Sequence, residues 1–102
     1  MRLTPAQSQL IVTTVHQQLG AQASVALFGS RLDDAAKGGD VDLLVENDQP
    51  ITLLQTAGIK MILEDLLLLP VDIVTVQRDA QPTAFQRIAM VRAVLLKSGT
   101  TQ

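Results

Sequence analysis

The sequence predicts a single small α+β (α/β) domain, an apolar sheet packed against helices. Three observations carry that expectation. The chain has 102 residues and is 47% hydrophobic with only 2% aromatic, enough for one compact domain around an aliphatic core. Three short apolar runs, SVALF (24–28), VDLLVE (41–46) and VDIVTV (71–76), read as strands. The segments around them space their apolar residues by three and four, as helices do. The order is helix, strand, strand, helices, strand, helix, with residues 1–102 forming one domain.

The first helix begins at Thr4, a capping residue, with Pro5 in the first helical position and Gly20 as the stop. Leu10, Ile11, Val15 and Leu19 form its apolar stripe. SVALF follows as a strand ended by Gly29. Residues 30–39 are polar and close on Gly38-Gly39, so a short helix or loop and then a turn are expected. VDLLVE is the second strand and NDQP (47–50) a turn. The helical pattern of 51–69 is interrupted by Gly58, which predicts one short helix to about Thr56 and another from Ile59 to about Leu67. Pro70 ends the Leu66–Leu69 run, because the residue before a proline is pushed out of helical geometry. That run reads as core and helix end. VDIVTV is the third strand. Residues 79–82 open a last helix carrying Phe85, Ile88, Ala89, Val91, Leu95 and Leu96, and the tail from about 98 to 102 is expected to be loose.

Composition narrows the function. A net charge of −2 gives no footprint for direct nucleic-acid binding. With no cysteine there are no disulfides and no thiolate metal sites. The opening MRLTPAQSQLIVTTV lacks the apolar run of a signal peptide, and no run approaches the roughly 20 apolar residues that span a bilayer. The expectation is a cytoplasmic protein with no membrane contact. The apolar content exceeds what a small monomer needs, which favours a partner or an oligomer. His16, the single histidine, reads as an ordinary helix residue.

The chemistry lies in FGSRLDDAAKGGDVDLLV, residues 28–45. Strand side chains alternate faces. Val41, Leu43 and Val45 therefore share the core face, while Asp40, Asp42 and Leu44 share the other. In the third strand Asp72, Val74 and Val76 oppose Val71, Ile73 and Thr75. If the strands pair with Asp72 beside Asp42, three carboxylates converge at one end of the sheet. Anions so placed repel one another and lose water, and a divalent cation is the natural compensation. Oxygen-only ligands favour a hard ion, Mg²⁺ or Mn²⁺. Asp40 and Asp42 are spaced to share two ions about 3.5–4 Å apart. Gly29 lets a ligand approach the backbone, and Ser30 with the amides after it offers a phosphate site. Arg31 either touches phosphate or pairs with Asp33 or Asp34; Asp33, Asp34 and Lys37 read as a solvated loop.

GSRLDDAAKGGDVDLL followed by VDIV resembles the polymerase-beta-type nucleotidyltransferase superfamily, and within it the minimal nucleotidyltransferase (MNT) proteins. The motif is Gly-Ser, a spacer, Asp-x-Asp and a third acid on a later strand, matched by Gly29, Ser30, Asp40, Asp42 and Asp72. The resemblance implies a mixed sheet of about three to four strands packed against helices. It implies Asp40, Asp42 and Asp72 as catalytic metal ligands for two Mg²⁺ ions, with Mn²⁺ as a substitute. Gly29 and Ser30 would hold the phosphates of ATP, with Arg31 beside them. Stand-alone MNT proteins are typically antitoxins of HEPN ribonuclease toxins, and several transfer AMP to a toxin tyrosine. The implied partner is a HEPN-type toxin in a hetero-oligomer, with a homodimer when the chain is alone. This sequence contains no tyrosine, so an acceptor tyrosine belongs to another chain. A core of this size also has little surplus to build an acceptor-binding domain. Neutralisation of the toxin by binding alone, and transfer to a small-molecule acceptor, are the alternatives.

Overall fold

In the computed structural model, which describes residues 3–28, 40–79, 83, 86–87 and 94–96, the chain begins with helix α1, Pro5–Leu19. Its start is a reciprocal cap. The Gln7 N–H donates to Thr4 Oγ1 at 3.1 Å, and the Thr4 N–H donates to Gln7 Oε1 at 2.9 Å. Ile11, Val12, Thr14 and Val15 are its buried residues. The expected stripe therefore turns slightly: Val12 joins Ile11 and Val15, while Leu10 lies at the exposed rim and Leu19 is half-buried. At Gly20, φ is 107°, a value that L side chains rarely adopt, and its N–H donates to the His16 carbonyl at 2.8 Å. His16 Nε2 lies 3.0 Å from the Ala23 carbonyl oxygen, which can only accept, so His16 ties down the turn into the sheet.

Among the described residues the sheet has four strands: β1 (Ser24–Phe28), β2 (Val41–Asn47), β3 (Val71–Gln77) and β4 (Val94–Leu95). Their order is β3-β2-β1-β4. β1 runs antiparallel to β2 and to β4, and β2 runs parallel to β3, so the sheet is mixed. A parallel pair needs a long crossover, which helix α2 (Leu53–Leu67) supplies.

The expected break at Gly58 is absent, and α2 is one continuous helix. Thr52 and Gln55 cap it reciprocally, at 2.9 and 3.0 Å, and Ile59, Leu63 and Leu67 bury its inner face. One interior glycine costs about 1 kcal/mol relative to alanine, which that packing offsets. The helix ends at Leu68, in the left-handed region with φ 59°, whose N–H donates to the Glu64 carbonyl at 2.9 Å.

The last expected helix is also corrected. Thr83 and Gln86 form a third reciprocal cap, and residues 86–87 are helical. The middle of that expected helix lies outside the described residues. Val94 and Leu95 instead pair with Leu27 and Ala26, and the Leu96 N–H donates to the Val25 carbonyl at 2.9 Å. Apolar spacing suited a helix there. The open hydrogen-bonding edge of β1 decides for a strand.

Both helices pack on one face of the sheet. Ile11, Val15, Ile59 and Leu63 meet Val25, Leu27, Val41, Leu43, Val45 and Val71. The other face carries a smaller apolar group of Ala26, Leu44 and Val76, with Phe28 and Val74 beside it. No described helix is long and apolar enough to cross a membrane.

Candidate active site

The acids stand on the face of the sheet opposite α1 and α2. β2 alternates, so burying Val41, Leu43 and Val45 against the helices turns Asp42 the other way. The parallel register pairs Asp42 with Asp72, and the antiparallel register pairs it with Phe28. Phe28, Asp42 and Asp72 thus form one row across three strands. This is the register that convergence of the acids requires. It is set where the Val41 N–H donates to the Pro70 carbonyl at 2.9 Å, opening the β2–β3 ladder.

Asp40 lies exposed one residue before β2, Asp42 is partly buried, and Asp72 is exposed on the edge strand. Burial pushes the Asp42 carboxyl above its ordinary range, and the negative charges of Asp72 and Asp40 push it further. Asp42 therefore feels both neighbouring carboxylates. Gly29, Ser30 and Arg31 fall outside the described residues.

Two residues that the sequence reading passed over position this row. Lys60 Nζ on α2 lies 3.1 Å from Glu64 Oε2 and 4.0 Å from Asp72 Oδ1, and donates to the Val71 carbonyl. Glu64 Oε2 accepts from the Val71 N–H at 2.9 Å. That backbone hydrogen bond, reinforced by Lys60, holds the Glu64 carboxyl below its ordinary range. The pair clips the end of α2 to the start of β3, one residue from Asp72. Its signal was Lys and Glu four residues apart just ahead of Pro-Val-Asp, a spacing that also describes any solvated helix face.

The donor chemistry suits a hard divalent cation, since the row offers carboxylate oxygens that repel one another. Among the described residues, however, no three acidic side chains are already gathered as a ligand cage. The acids are neighbours by strand register, and holding an ion requires their side chains to turn toward a common point.

Comparisons with known proteins agree with this architecture. The nucleotidyltransferase domain family matches residues 10–96. A solved structure assigned as a minimal nucleotidyltransferase is similar over 87% of this chain and 88% of its own, with a TM-score of 0.65 and 27% identity. No match was found among curated proteins. A mixed sheet with α1 and α2 on one face and paired strand-borne acids on the other is thus joined to a sequence match across most of the chain, and the chain belongs to the nucleotidyltransferase domain family, as an enzyme domain of polymerase-beta-type fold.

Proposed function

We propose that this domain is a metal-dependent protein adenylyltransferase that acts as an antitoxin, moving AMP from ATP to a tyrosine hydroxyl of a partner HEPN-type ribonuclease toxin. The observation that carries the proposal is the Asp42–Asp72 register, with Asp40 two residues before Asp42. Among the described residues the row offers carboxylate oxygens, and the Asp42 carboxyl, raised first by burial and then by Asp72 and Asp40, is one whose charged form a cation would favour.

In this reading Asp40 and Asp42 hold the metal ions, and Asp72 shares one of them. When bound, Mg²⁺ or Mn²⁺ supplies charge stabilisation for the α-phosphate and the departing pyrophosphate. Gly29 and Ser30 hold the β- and γ-phosphates, with Arg31 alongside. In this reading Asp72, exposed on β3, takes the proton of the incoming hydroxyl. The tyrosine oxygen then bonds to the α-phosphorus, the bond from that phosphorus to the bridging oxygen breaks, and pyrophosphate leaves with the electron pair. The acceptor is not among these 102 residues, because they include no tyrosine.

The test is to incubate the chain with its genomic neighbour, labelled ATP and Mg²⁺. Label on a tyrosine of the neighbour, lost with Asp42→Ala, is the expected result. Absence of transfer, or undiminished transfer by Asp42→Ala, overturns it.

The lack of a ready ligand cage among the described residues favours a second reading, in which the chain neutralises its toxin by occlusion. An Asp40→Ala/Asp42→Ala variant that still binds the toxin separates the two. Full protection supports occlusion, and lost protection supports catalysis.

A further inference from the structure

The outward face of α2 is more apolar than a solvated helix needs. Leu54, Ala57, Gly58, Met61 and Asp65 recur at three- and four-residue steps on it. Leu54 is 84% exposed and Met61 70%, and Leu53 and Leu68 are exposed beside them. A shallow depression of about 610 Å³ runs along part of this surface, lined by Met61, Ile62, Glu64, Asp65 and Leu66. Ile62 and Leu66 are exposed as well, so α2 and its end carry six of the eight exposed large apolar side chains among the described residues. Exposed apolar side chains clustered in this way mark interaction surfaces.

We propose that this face joins two copies of the chain through antiparallel packing of α2 on α2. Three features single out a second copy. The first is the placing of small and large residues. A twofold axis between Ala57 and Gly58 sets Leu54 of each copy against Met61 of the other, with the two small residues where the helices cross. A patch that fits itself in this way is what a twofold interface requires.

The second is Gly58 itself. A Cβ built there meets no described atom within 4 Å, so packing among the described residues gives no reason for glycine in mid-helix. Close approach by another backbone gives one. The third is charge. With Leu54 opposite Met61, Asp65 falls beside position 50 of the second copy, and side chains lean toward their own helix N-terminus. The carboxylate then reaches the first turn of the other α2. That turn carries no acid of its own, and its free N–H groups favour one. A parallel pair would set the two Asp65 carboxylates against each other. The row of acids lies on the opposite face of the sheet, away from this contact.

Sedimentation velocity on the whole chain, from low micromolar to hundreds of micromolar, tests this. The wild type should run at the mass of two chains. Leu54→Glu and Met61→Glu should run at one, with unchanged circular dichroism. Gly58→Leu is the sharper variant. Its Cβ meets no described atom within 4 Å and leucine improves helix propensity, yet the variant should weaken association at least tenfold. Asp65→Lys should weaken it several-fold. A wild type at one-chain mass throughout overturns the proposal, as do variants that associate like wild type. A wild type that stays single and binds only a different protein through α2 assigns the surface to that protein and overturns it equally.

Discussion

Strand β2 carries an acid near each end of the face turned away from α1 and α2, and the two ends are treated differently. Glu46 lies 4.0 Å from Arg78 Nε, whose guanidinium also reaches Asp48 Oδ1 and Ser24 Oγ, each at 3.0 Å. The Arg78 N–H donates to the Asn47 carbonyl at 3.0 Å, so backbone and side chain close that end together. Four residues earlier, Asp42 is acted on by Asp72 and Asp40, charges of its own sign. Lys60 stands beside Asp72 but is already held by Glu64 and the Val71 carbonyl. Like charges gathered at one end and an ion-pair joint at the other divide the strand between a candidate site and a structural closure.

The largest effect that would sharpen this contrast is on activity. Asp42→Ala should lower transfer of labelled nucleotide by about 100-fold or more, since metal-held charge stabilisation is worth several kcal/mol. Arg78→Ala should leave the transfer rate near wild type in the same assay. If Arg78→Ala abolished transfer in a folded protein, the division between structural and chemical ends would fail.

Much of the acidic end was legible because a strand has a period of two. Burying Val41, Leu43 and Val45 sends Asp42 to the other face whatever the rest of the chain does. The register with Asp72 was legible only as a condition, because it depends on how α2 returns the chain to the sheet. The arginine end was not read at all. Arg78, Asp48 and Ser24 come together from separate strand ends, and no local spacing announces them. Gly58 was misread as a break because a propensity of about 1 kcal/mol looks decisive alone and is small beside three buried residues. Val94 and Leu95 were misread because an apolar pair fits either a helix or an edge strand, and the choice rests with β1, far away in sequence.

A second effect should appear in stability, in the reverse order. Arg78→Ala removes the contacts to Asp48, Ser24 and Glu46 together, and should lower the unfolding free energy by about 1–2 kcal/mol in urea denaturation. Asp42→Asn, tested without divalent metal at neutral pH, should be neutral or stabilising, because it relieves repulsion instead of removing a bond. Adding Mg²⁺ should then raise the melting temperature of the wild type but not of Asp42→Asn, since binding to the folded state alone stabilises it.

The smallest effects are in pH dependence, and there the carboxylates of the row and of its clip should slope in opposite directions. The folded pKa of Asp42 lies above its unfolded value, so between the two the folded state binds more protons. Stability should fall as pH rises through that window. The gain from Asp42→Asn should therefore be present at neutral pH and vanish below the ordinary carboxylate range. Glu64 is the mirror case. Its folded pKa lies below the unfolded value, because the Val71 N–H and Lys60 favour the charged form. Its contribution is present above the ordinary range and is lost as pH falls through the folded value. Glu64→Gln should thus be less stable than wild type at neutral pH and converge with it in acid. Melting curves of the two variants and wild type from acid to neutral pH, in chelator, measure both slopes at once. Parallel slopes would mean that Asp42 has found a counter-charge within the chain, and the metal reading of that end would lose its physical basis.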